Sequence, residues 1–273
     1  MNRFQFCASF VGGAAIAALP RAAFTQTAAA QRLDTPRAID MAGRLRMLSQ
    51  RSTKAYLQWG QAIASTSARS MLQESVGRYD AHLATLKTFT PNPAVQASLP
   101  QLQTLWEQFK ALLAGEPNRN GAAALYDANE ALQSAAHYLT VSYGNPNGTP
   151  VEQLIGLAGR QRMLSQRLAK FYFYRTWDLH DAPADMEMHL SRAHFTSVLT
   201  QLENSGHAAH SVRVAATRVR REWEPYQQAL FASKEIAAMR ASAARVADGS
   251  ERVLAACEEV VALLLAQAQG RPT

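Results

Sequence analysis

Apolar residues recur along this chain at helical spacing, in runs bounded by turn formers. Ile39, Met41, Leu45, Leu48, Ser52, Tyr56 and Trp59 form the first stripe, with Pro36 in its first turn and Asp34 or Thr35 as the N-cap. Leu72, Val76, Tyr79, Leu83 and Leu86 predict a second helix over about 69–89, closed by Pro91-Asn92-Pro93. A third, about 94–113, buries Leu99, Leu102, Leu105, Trp106 and Phe109; a fourth, about 122–143, buries Leu125, Leu132, Ala136 and Leu139. Gly144 to Pro150 consists almost wholly of turn formers and reads as a linker. After it the plan repeats over about 151–178, 183–204, 210–232 and 234–269, with Trp223 answering Trp106. Asp127-x-x-Glu130 before the linker is echoed by Asp248-x-x-Glu251 after it. Helices joined by short turns favour antiparallel neighbours. The pattern therefore predicts an all-α fold of two tandem four-helix-bundle repeats, residues 31–143 and 151–273, with 144–150 between them.

One stretch occurs twice. Ala42-Gly43-Arg44-Leu45-Arg46-Met47-Leu48-Ser49-Gln50-Arg51 returns as Ala158-Gly159-Arg160-Gln161-Arg162-Met163-Leu164-Ser165-Gln166-Arg167, differing at a single position. On a helical wheel Leu45 and Leu48 belong to the bundle's own apolar face, while Gly43, Arg46, Met47 and Gln50 point away from it, as do Gly159, Arg162, Met163 and Gln166. Glycine inside a helix costs about 1 kcal/mol relative to Ala, so its presence on this face suits close approach of a backbone or a ligand. Two such faces in one chain predict a pseudo-twofold pairing, a pseudo-dimer through the motif helices. Arg46 and Arg162 then meet near the axis, where two desolvated guanidinium groups repel and an anion between them removes the conflict. Guanidinium is a planar fork that matches planar oxyanions. The competing reading keeps both arginines as ordinary surface side chains. For Arg44, Arg51, Arg160 and Arg167 the expectation is solvent, or a carboxylate one turn away. Ser49 and Ser165 are expected to bond the preceding turn, and Met47 and Met163 to pack rather than ligate.

The decapeptides resemble the signature of the PilJ-like N-terminal domain of type IV pili chemotaxis transducers, a family similar to the periplasmic nitrate-sensing domain of NarX-type histidine kinases. The resemblance is specific over 37–59 and 152–178. It implies that Arg46 and Arg162 hold a small oxyanion such as nitrate or nitrite, with Gly43, Gly159, Met47 and Met163 matching the family's Gly and Met; Gln50 and Gln166, on the same helix face, are expected to complete the site. It also implies a membrane receptor or sensor kinase as the partner. The sequence given carries no kinase or methyl-accepting coil, which implies an accessory that senses without transmitting by itself.

Composition narrows the class. The 273 residues are 48% hydrophobic and 18% charged, which suits one large or two ordinary folded domains. The net charge of +7 is spread out, and no basic run interleaved with aromatics points to nucleic acid. Residues 1–30 read as an export signal: Arg3, an apolar run from Phe4 to Leu19, Pro20, and small residues at Ala28-Ala29-Ala30. Cleavage would place the chain in the periplasm; the alternative is a short uncleaved membrane anchor. The mature chain then keeps one cysteine, Cys257, expected as a small buried hydrophobe. His207-x-x-His210 lacks the carboxylates of a bundle metal site, and no nucleophile triad, phosphate loop or dinucleotide fingerprint is present. The expectation is a non-enzymatic protein without a cofactor. Two functions stand: an anion-binding sensory protein, or a ligand-free helical module that docks on a chemosensory, pilus or sensor-kinase partner. Motif helices lying far apart would instead pair across a homodimer.

Overall fold

The computed structural model describes residues 33–144 and 148–273; the expected export signal lies outside them, as does part of the expected linker. Within them the chain forms helices α1 (Thr35–Gly60), α2 (Ser65–Leu86), α3 (Pro93–Leu112), α4 (Arg119–Tyr143), α5 (Pro150–Thr176), α6 (Asp181–Asn204), α7 (His210–Phe231) and α8 (Ile236–Ala268). Their starts follow local chemistry. Asp34, Asn92 and Asn118 each accept a hydrogen bond from a backbone N–H in the first turn, contributing about 1 kcal/mol apiece. Thr149 and Glu152 form a reciprocal capping box ahead of α5. Helix α2 starts before the expected Arg69, at Ser65, because Ala62 and Ala64 turn the chain sharply in left-handed conformations.

Each repeat is a four-helix bundle. In the first, α1 packs on α2 and α4, and α3 on α4; in the second, α5 packs on α6 and α8, and α7 on α6 and α8. The two tryptophans sit at the centres of these cores. Trp106 stacks on Tyr79 at 3.7 Å between ring centroids, and Trp223 on Phe195 at 4.1 Å. Full burial of an apolar side chain of this kind contributes roughly 1.5–3 kcal/mol.

The two bundles pack through their motif helices. The α1–α5 pairing is the most extensive among the described residues, and it is parallel: Asp40, early in α1, bonds Arg162 in the middle of α5, and Gln61, just past α1, meets Phe173 and Thr176 at the end of α5. Leu33–Thr273 is accordingly one compact unit. The fold is the expected pseudo-dimer of bundles, with its axis between α1 and α5. Among the described residues no helix is long and apolar enough to cross a membrane.

Candidate functional site

Burial of the repeated face follows from that pairing. Gln50 and Gln166 are both 0% exposed, and Met47 and Met163 are packed in the interior. The helices approach each other at the glycines: a methyl group placed on Gly43 would lie 3.9 Å from the Cα of Gly159, ordinary contact. The same position is 3.5 Å from an Nη2 of each arginine, so both guanidinium groups lie over the glycine pair. Ser49 and Ser165 donate to the carbonyls of Arg46 and Arg162, one turn back, as expected. Arg46 and Arg162 thus converge at the axis.

Their surroundings differ. Arg162, fully buried, donates to Asp40 Oδ1 at 2.6 Å and to Glu258 Oε2 at 2.9 Å. Arg44 closes the network, reaching Asp40 Oδ2 at 3.1 Å and both oxygens of Glu258 at 2.8 and 2.7 Å. Two cations and two carboxylates balance. Burial alone would raise the Asp40 pKa, but Arg162 and Arg44 hold it below the ordinary carboxylate range. Burial would likewise lower Arg162, yet Asp40 and Glu258 keep it above its ordinary value.

Arg46 is as deeply placed, 3% exposed, and among the described residues no carboxylate bonds it. Its Nη1 lies 3.2 Å from His137 Nδ1. A guanidinium only donates, so Nδ1 accepts and the imidazole is neutral, with its proton on Nε2. Its Nε has no partner among the described residues. Burial, then the charges of Arg162 and Arg160, pull Arg46 down to about 9. The guanidinium stays charged; the direction expresses a buried cation without a counter-ion. His137 is also lowered, by burial and by Arg46 and Arg160. The space beside this arginine is an open cleft of about 480 Å³, lined by Arg46, His137, Arg160, Gly156, Thr140 and Glu152 among others. The Glu152 carboxylate is engaged in the α5 cap through Thr149 N at 2.8 Å.

Outside the axis the pseudo-symmetry is kept. Lys54 donates to Ser250 and Glu251, and its counterpart Lys170 donates to Asn129 and Glu130. Arg51 joins Glu251 to Glu74, and Arg167 joins Glu130 to Glu187. The expectation that Arg51 and Arg167 face solvent or pair one turn away is corrected here: each reaches a carboxylate of the other repeat, because α4 and α8 flank the motif pair. Arg44 does pair one turn back with Asp40, and Arg160 contacts His194.

All eight residues named from the sequence are buried, and Gly43, Gly159, Arg46 and Arg162 meet at this interface, but they do not form one symmetric clamp. Gln166 donates to the Ser250 carbonyl at 3.0 Å, whereas neither amide atom of Gln50 has a partner among the described residues. Sequence reading missed Asp40, Glu258, His137 and the buried Lys54 and Lys170. The echo of Asp127-x-x-Glu130 in Asp248-x-x-Glu251 carries the missing signal. It fixes the register of α4 against α8, in which His137 and Glu258 each stand two turns beyond Glu130 and Glu251. Cys257 is buried, as expected, and no cluster of metal-ligating side chains occurs among the described residues.

The chain matches the family model for the type IV pili methyl-accepting chemotaxis transducer N-terminal domain, PilJ, over residues 27–136 and again over 150–250. No curated protein and no solved structure matches it. One matched segment falls in each half of the pseudo-dimer, the first ending within α4 and the second within α8, and together they span most of the sequence. The chain belongs to the PilJ family of chemotaxis-transducer N-terminal domains and carries that domain in two tandem copies.

Proposed function

We propose that this protein is an exported, periplasmic sensory module that holds a small oxyanion, of the nitrate or nitrite kind, at the paired motif arginines, and that it works with a membrane receptor or sensor kinase. One observation carries the reading. Arg46 is a buried cation whose hydrogen-bond partner is a neutral histidine, beside two further arginines and a cleft open to solvent. A buried charge without a partner is costly, and a bound anion removes that cost. Family membership supports the sensory role. Binding in the cleft would touch α1, α4 and α5 together, so a ligand that favours one packing of these helices shifts the population a partner meets.

Calorimetric titration of the mature protein with nitrate, nitrite and small carboxylates tests this. Binding of one anion per chain, lost in Arg46→Met with the helical content unchanged, is the expected result. Absence of binding by every anion tried would end it. A second reading, docking on a partner without a ligand, draws on Tyr138 and Val141, large apolar side chains 58% exposed on α4 beside the cleft. Capture of one receptor domain, unaffected by anions and by Arg46→Met but lost in a Tyr138→Ser, Val141→Ser variant, would favour it.

A further inference from the structure

The two arginine environments are built on one plan, and the differences between them describe the ligand. Around Arg162 stand Arg44, Asp40 four residues before it, and Glu258 on α8. Around Arg46 stand the equivalent Arg160, Gly156 four residues before it, and His137 on α4. The arginines are retained, and both carboxylates are replaced, one by the smallest side chain and one by a neutral ring. The replaced positions, Gly156 and His137, both line the open cleft. A methyl group on Gly156 would meet nothing within 4 Å, so the volume occupied by the Asp40 side chain in one half is free in the other.

We infer that the cleft beside Arg46 takes a small aliphatic dicarboxylate, whose two carboxylates stand in for Asp40 and Glu258. This rests on the reading above that a bound anion compensates Arg46, and puts a dianion in place of the nitrate-like ligand named there. Charge matching supports a dianion: two arginines and two carboxylates sum to neutrality around Arg162, and a dianion gives Arg46 and Arg160 the same balance, with the Glu152 carboxylate of the cleft wall held at the α5 cap. Geometry supports a short spacer. Asp40 and Glu258 bond the two Nη atoms of one guanidinium, at 2.6 and 2.9 Å, which places their carboxyl groups side by side. The site is single per chain, because the equivalent place in the other half is filled by the protein's own side chains. Thr140 Oγ1, which donates to the Ala136 carbonyl at 2.7 Å on the same helix, lines the cleft and can accept a hydrogen bond from a ligand hydroxyl.

The experiment compares succinate, butyrate and nitrate by calorimetry on the unmodified protein, then on Gly156→Asp, His137→Glu, which rebuilds the internal carboxylate pair, and on Arg46→Met. The expected result is one succinate per chain, bound about tenfold or more tighter than butyrate, as the extra charged hydrogen bonds require. The double variant should lose succinate binding while melting at or above the temperature of the unmodified protein. Nitrate or butyrate binding as tightly as succinate overturns the dicarboxylate assignment and leaves the anion reading intact. No binding by any of the three overturns both. Unchanged succinate affinity in the double variant, or in Arg46→Met if the double variant does not fold, places the ligand elsewhere and also overturns the inference.

Discussion

His137 and Glu258 occupy equivalent positions on α4 and α8, and they serve the two motif arginines in opposite ways. Glu258 neutralises Arg162 at 2.9 Å, whereas His137 only accepts a hydrogen bond from Arg46, at 3.2 Å. One half of the duplicated face is thereby closed by the protein itself, and the other half presents an uncompensated buried cation to a cleft. A duplicated chain can make this distinction where a symmetric homodimer of one repeat cannot, since its two faces are free to diverge.

That difference should appear in stability. Replacing Arg162 by Met leaves Asp40 and Glu258 with Arg44 alone, one cation for two carboxylates, and should cost about 3 kcal/mol. Replacing Arg46 by Met removes a buried charge that lacks a counter-ion, and should leave stability within about 1 kcal/mol or raise it. Urea unfolding without added anions reads both. Equal losses for the two variants would mean that Arg46 is compensated after all.

Acid should unlock the two repeats through Glu130 and Glu251. Burial would raise these carboxyls, but Lys170 with Arg167, and Lys54 with Arg51, hold each down to about 2. A carboxylate with a depressed folded pKa contributes stability that is present above its unfolded pKa, near 4.5, and lost as the pH falls towards about 2. The urea midpoint should therefore drop through that window. A Glu130→Gln, Glu251→Gln variant should be less stable at neutral pH and show a flatter acid dependence; an identical slope would assign the acid sensitivity to other groups.

The glycines separate by what surrounds them. At Gly43 an added methyl meets its neighbours at 3.5 Å or more, ordinary contact, so Gly43→Ala should leave stability level or raise it by up to about 1 kcal/mol through helix propensity. At Gly249 the methyl would come 2.8 Å from Cδ2 of Tyr226. That ring is pinned in the core by its hydroxyl, which donates to the Ser165 carbonyl at 2.7 Å. Gly249→Ala should cost about 1–3 kcal/mol by overpacking. Thermal melts of the pair decide it, and a neutral Gly249→Ala would show that Tyr226 has room to move.

Cys257 should behave as a core atom. It is buried and burial pushes its thiol well above the ordinary range, so the thiolate required for reaction is scarce. A thiol reagent such as dithionitrobenzoate should label it only after denaturant is added; rapid labelling of the native protein would contradict the packing of α8 on α5.

The helices, their caps and their buried stripes were legible in the sequence because each depends on residues within a few positions of one another. Asp34 as one of two candidate caps of α1, and Trp106 with its counterpart Trp223 as buried residues, came from local pattern; the burial of Gly43, Met47 and Gln50, which point away from their own bundle's apolar face, came from the expected pairing of the two motif helices. The convergence of Arg46 and Arg162 was also legible, since two identical faces in one chain have a symmetric way to pair. What periodicity does not contain is which side chain of α4 or α8 stands opposite each arginine. Nothing in the periodicity singles out Lys54 and Lys170, which are fully buried and bonded to residues of the other repeat. Arg51 and Arg167 read as surface charges, yet they bridge the two halves.

By itself, then, the sequence determined an all-α chain with two like halves and a repeated arginine face. The tertiary structure decided that Asp40 and Glu258 close one side of that face while Gly156 and His137 open the other. The physical reason is that helix formation is set by neighbours in the chain, whereas compensation of a buried charge is set by register between helices distant in sequence, where two replacements, Gly156 for Asp40 and His137 for Glu258, leave a buried cation without a carboxylate.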